Sequence, residues 1–155
     1  MNPSPAPFFS LIQSMTRSWE NLIRENLAFL EDPTSNSRLQ GILDQRELVL
    51  EENRSLDQRF LSEWAEAFPG QPVRHLREAL TILRRNHPAG ESAITTFHQA
   101  LEQLVDTDRK VQERLQQSRK EIDAQLKALK RSSSLVKGYK QATPFDDSCF
   151  IDKIR

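Results

Sequence analysis

Three features of this sequence predict an all-α fold, an elongated antiparallel helical hairpin or bundle of about four helices with coiled-coil character and a flexible C-terminal tail. Apolar residues recur at three- and four-residue steps over most of the chain, the period of a helix face. The eight prolines gather at a few junctions, and because a proline inside a helix costs about 3 kcal/mol, the proline-free stretches are where long helices lie. Hydrophobic residues make up 37% and charged residues 28%, which suits a modest core spread along helices rather than a thick layered fold. A length of 155 residues fits one domain. It is expected to cover residues 1–137, with a tail at 138–155.

The first helix is predicted over residues 8–31, where Phe8, Ile12, Met15, Trp19, Leu22, Ile23, Leu27 and Leu30 share a face. Asp32-Pro33 ends it, since the residue before a proline disfavours the α region. Ser37 and Gln40 have the spacing of a capping box and open the second helix. Its stripe runs through Leu39, Ile42, Leu43, Val49, Leu50, Leu56, Phe60, Leu61, Trp64 and Phe68, and "PGQP" closes it. A short third helix over 73–85 carries Val73, Leu76, Leu80 and Leu83, and "NHPAG" follows.

The fourth helix starts near Glu91. Ile94, Phe97, Leu101, Leu104, Asp108, Val111, Leu115, Ser118 and Ile122 form a heptad seam with one charged interruption. Beyond it the apolar positions are Leu126, Leu129 and Val136, among Gln125, Ser132 and Ser133, so the stripe thins. A helix of about 45 residues spans about 68 Å and the second helix only about 45 Å. The C-terminal third of the fourth helix is therefore expected to lack a partner.

The tail, "KGYKQATPFDDSCFIDKIR", pairs a hinge at Gly138 with a break at Pro144. Asp146 and Asp147 suit the start of a short turn that sets Phe150, Ile151 and Ile154 on one face. Burying so few apolar side chains roughly balances the entropy of ordering the segment. Conditional docking is expected, on the chain's own bundle or on a partner.

Function classes narrow by chemistry. Lys and Arg total 22, as do Asp and Glu, so no overall field draws the chain to nucleic acid or membrane. Cys149 is the sole cysteine, which allows no internal disulfide and favours a reducing compartment. The start "MNPSPAPFFSL" lacks the pattern of a signal peptide, and no apolar run approaches the about 20 residues that span a bilayer. A soluble, cytoplasmic protein without membrane insertion is expected. His75, His87 and His98 do not have zinc spacing, and no phosphate-binding loop or nucleophile elbow occurs. The expectation is no enzyme, no metal and no cofactor. The basic residues Lys127, Lys130, Arg131, Lys137 and Lys140 read first as cations near a helix C-terminus. With Tyr139 the one aromatic nearby, no base-stacking platform is apparent and no nucleic-acid partner is expected.

A long helical hairpin thinning into "LVKGYK" and ending in "FIDKIR" resembles the flagellar type III export chaperones of the FliT/FlgN kind. Gly138-Tyr139 and the run Phe150, Ile151, Asp152 and Lys153 carry the more specific part of that likeness. The resemblance implies a cytosolic chaperone for flagellum assembly. Such a protein binds the amphipathic terminal helices of hook-associated or filament-cap subunits, keeps them unassembled and delivers them to the type III protein export apparatus. It implies protein binding without nucleotide or metal, through the last helix and the segment after it. On this chain those are Leu126, Leu129, Val136 and Tyr139, with Phe150 and Ile151 in the tail. The alternative is a structural, self-associating coiled-coil adaptor, a homodimer through the seam of the fourth helix.

Overall fold

The computed structural model of the chain describes residues 3–135. They form α1 (Ala6–Glu31), α2 (Asn36–Ala67), α3 (Leu76–Asn86), a 3-10 turn at Pro88–Gly90 and α4 (Glu91–Leu135), with no strand among the described residues. The all-α helical bundle expected from the periodicity is the observed architecture. The chain divides into two compact units, Met1–Asp108 and Arg109–Arg155.

Local chemistry sets the element boundaries. α1 starts with Pro5 as its N-cap and a proline in its first turn; there the missing N–H would have had no helical partner anyway. It ends where the Asp32 N–H donates to the carbonyls of Ala28 and Phe29, just before Pro33. α2 is capped by Ser35, not by the Ser37–Gln40 box. Ser35 is extended (φ −79°, ψ 114°) and its Oγ accepts from the Arg38 N–H at 3.3 Å. Ser37 already lies inside the helix, where it has no free first-turn donors to cap, and Gln40 donates to Asp44 instead. α3 begins at Leu76, later than expected. The Arg74 N–H donates to Glu78 Oε2 at 3.0 Å, closing a turn ahead of the helix, while Val73 still packs against the core.

Within the first unit, α1 and α2 form an antiparallel hairpin. Phe8 at the start of α1 meets Phe60 and Trp64 near the end of α2, ring centroids 5.2 and 5.3 Å apart and edge-on. Farther along, Leu22 and Ile23 pack in one cluster with Val49. α4 enters alongside α1 in the same direction: Ile94 and Phe97 join the cluster of Phe8 and Met15, and Ala100 and Leu104 join that of Leu22 and Ile23. The short α3 adds Ala79, Leu80 and Leu83 to the aromatic end. Trp64 is fully buried, and its indole N–H donates to the Gln71 carbonyl at 2.8 Å, which ties the chain leaving α2 to the core.

Gly90 carries a further constraint. A Cβ there would overlap the Phe9 ring as it stands, so any larger residue would have to turn that ring aside.

Not every predicted core residue is buried. Phe8, Met15, Leu22 and Phe29, seven residues apart, mark the middle of the buried arc of α1. Leu27 lies roughly 120° off that line on an ideal helix and is 43% exposed. Leu50 sits likewise off the line of Ile42, Val49 and Phe60 and is 48% exposed.

Candidate functional site

Polar side chains occupy the interior of the first unit. Asn26, fully buried on α1, donates from Nδ2 to Thr107 Oγ1 at 3.2 Å and Asp108 Oδ1 at 2.7 Å on α4. Arg46 of α2 donates to the other Asp108 oxygen at 2.9 Å, so one carboxylate joins three helices. Nearer the hairpin's middle, Asn53 donates to Ser18 Oγ and to the Val49 carbonyl, and the Ser18 hydroxyl donates to Glu52. The carbonyl oxygens of Asn26 and Asn53 have no hydrogen-bond partner among the described residues. The set comprises amides, hydroxyls and two carboxylates, Asp108 paired with Arg46 and Glu52 accepting from Ser18, without a histidine, cysteine or lysine among them. A buried polar position of this kind fixes helix register at some cost in stability.

Asp108, the charged interruption of the seam, thus has a packing role. Asn26 and Asn53 were not identified from the sequence, although each stands on an apolar face: Asn26 three residues after Ile23, Asn53 four after Val49. Apolar periodicity records which face a residue occupies and does not say whether a polar one there is covered.

A shallow groove of about 420 Å³ between α1 and the start of α4 is lined by Phe9, Gln13, Arg17, Glu20 and Thr96, among others, without a histidine or cysteine. His75 and His87 flank α3, and His98 is exposed beside Phe97. Among the described residues, no cluster of three His, Cys, Asp or Glu is placed to hold a metal ion. No helix among them is long and apolar enough to cross a membrane.

An exposed apolar row lies on α4 within residues 109–135. Among the described residues this unit is a single helix, and one helix cannot bury an apolar stripe on itself. Leu115, Ile122 and Leu129 recur every seven residues, and Leu126 falls between the last two on the same side. Leu115 and Leu126 are half-buried, whereas Ile122 is 56% and Leu129 65% exposed. On an ideal helix, Ser118, Gln125 and Ser132 lie roughly 50–90° to one side of this row. On that flank Arg114 donates to Ser118 at 3.1 Å and stands 4.0 Å from Glu121. Arg119 and Lys130 lie roughly 50–70° to the opposite side, with Lys120 and Lys127 farther round, all four exposed.

Leu126 and Leu129, identified from the sequence, therefore share one face of α4. Val136, Tyr139, Phe150 and Ile151 lie outside the described residues, as do Lys137, Lys140 and Cys149. Compared with protein-family models, curated proteins and solved structures, the chain matches none.

Proposed function

We propose that this protein is a cytosolic flagellar export chaperone. It captures amphipathic terminal helices of hook-associated or filament-cap subunits, keeps them unassembled and delivers them to the type III export apparatus. The observation that supports helix capture is the row Ile122, Leu126 and Leu129, apolar, with Ile122 and Leu129 mostly exposed and Leu126 half-buried, on a helix whose own unit presents no other described element. Amphipathic helices bind such rows through residues spaced three, four and seven apart, and exposed apolar rows of this kind mark interaction sites. Ser118, Gln125 and Ser132 beside the row limit the apolar area, which keeps the association reversible. The client class comes from the sequence resemblance.

Suppression of aggregation tests the reading. The full chain should reduce light scattering by a hook-associated subunit's terminal-helix fragment. The double variant Leu126→Asp/Leu129→Asp should lose that protection with its circular dichroism unchanged. Undiminished protection by the variant would remove the face from the function. The alternative, a self-associating coiled-coil adaptor, is disfavoured by charge: two copies paired through this face would set eight Lys and Arg of residues 109–135 against eight more, offset by three acids each.

A further inference from the structure

Capture of a helix leaves its chemistry undefined, and the charges around the row narrow it. Zero net charge conceals a segregation along the chain. Residues 1–108 carry ten Lys and Arg against sixteen Asp and Glu, whereas residues 109–135 carry eight against three. The sign therefore changes at the same place where the two compact units divide, Asp108/Arg109.

Nor are the cations of 109–135 spread evenly about the helix. Arg109 pairs with Glu113 at 3.7 Å, and Arg114 lies 4.0 Å from Glu121 on the flank that also holds Ser118 and Gln125. Arg119 and Lys130 stand exposed on the other flank, where Asp123 is the one carboxylate, and Lys120 and Lys127 lie farther round toward the back of the helix. The apolar row thus has a basic border on one side and a nearly neutral border on the other.

We infer that this face of α4 selects an amphipathic partner helix with an acidic flank, its carboxylates laid along Arg119 and Lys130 and its apolar side on Ile122, Leu126 and Leu129. The inference rests on the helix-capture reading above and adds the class of helix captured. Complementary charge at the border of an apolar contact raises the association rate and rejects like-charged competitors. A second copy of the same face is such a competitor. Nucleic acid fits less well, because residues 109–135 contain no Phe, Tyr or Trp on which a base would stack. An anionic membrane surface is also attracted by a basic amphipathic helix, but these residues lack the Trp and Phe that anchor interfacial helices.

Fluorescence anisotropy with defined probes tests this on the full chain. The first probe is a synthetic amphipathic peptide about four heptads long, with Leu in the seam and Glu on both flanks. The second is the same peptide with Lys in place of every Glu. At low salt the Glu peptide should bind at least about tenfold more tightly than the Lys peptide. The gap should narrow between about 0.01 M and 1 M salt, where the screening length falls from about 30 Å to about 3 Å. Arg119→Glu/Lys130→Glu should reverse the preference while circular dichroism stays unchanged. Equal binding of both peptides would overturn charge selection and leave helix capture standing. Binding of neither would overturn helix capture itself, and the inference with it. Tighter binding to phosphatidylserine vesicles or to single-stranded RNA than to the Glu peptide would also overturn the inference, by assigning the basic flank to another class of partner.

Discussion

α4 is one continuous helix, yet its two stretches obey different rules. Between Glu91 and Asp108 it buries Ile94, Phe97, Ala100 and Leu104, and it closes on a carboxylate held by Asn26 and Arg46. From Arg109 onward Val111 is its one buried apolar residue among those described, and Ile122 and Leu129 stay in water. Both stretches carry the same apolar repeat, so the repeat alone does not distinguish a core seam from a docking face. What separates them is the layer beside the repeat. In the first stretch the alternate seam positions are Phe97 and Leu104; in the second, after Val111, they are Ser118, Gln125 and Ser132. A helix with apolar residues at both positions buries enough area to hold a neighbour permanently, whereas one with a single apolar position suits a neighbour that leaves.

Substitutions can break this contrast, beginning with the largest effect. Trp64→Ala removes a fully buried indole that contacts Phe8 and Phe68 and donates to Gln71. Denaturant unfolding should show a loss of about 3–5 kcal/mol; a loss near zero would mean that the aromatic end is not the core. Asp108→Ala strips the acceptor from the buried Asn26 amide and from Arg46 and should cost about 1–3 kcal/mol. In a double-mutant cycle with Asn26→Ala the two losses should be non-additive, and full additivity would dissolve the clasp as a unit.

Gly90→Ala pushes a methyl group into the Phe9 ring. Thermal melts should report a destabilisation of about 1–3 kcal/mol, the usual range for overpacking, and Phe9→Ala in the same chain should relieve part of it. The smallest stability effect belongs to the proposed docking face. Leu129→Ala, at a residue 65% exposed, should stay within about 0.5 kcal/mol while weakening capture of the Glu peptide. A stability loss comparable to that of Trp64→Ala would show that the face is core.

Much of the architecture was legible in the residues because helices depend on local rules. The proline junctions located the ends of α1 and α2, and the three-four spacing identified Phe8, Met15, Leu22, Phe60 and Trp64 as core. Errors arose where two local signals competed. Ser35 and Ser37 are both competent caps, and the turn forced by Asp32-Pro33 favoured the earlier one. Leu27 and Leu50 belong to apolar stripes but fall outside the arcs their neighbours cover. The candidate face was legible in part: Leu126 and Leu129 stood out where the stripe thinned. Lys130 of its basic border stood out too, within a cluster read as cations near a helix C-terminus, whereas Arg119 did not, because the sequence alone does not set it beside that row.

By itself, the sequence determined the helices, their faces and the point at which α4 runs short of apolar residues, because those follow from a period of 3.6 residues and from proline sterics. Only the tertiary structure decided that Asn26, Ser18, Asn53 and Thr107 lie inside, that Asp108 joins three helices, and that Gly90 faces the Phe9 ring. Each of these depends on which residue arrives from a distant part of the chain, and no local period encodes that arrival. A polar residue on an apolar stripe becomes a register pin when a donor or acceptor meets it, and a hydrated gap when none does.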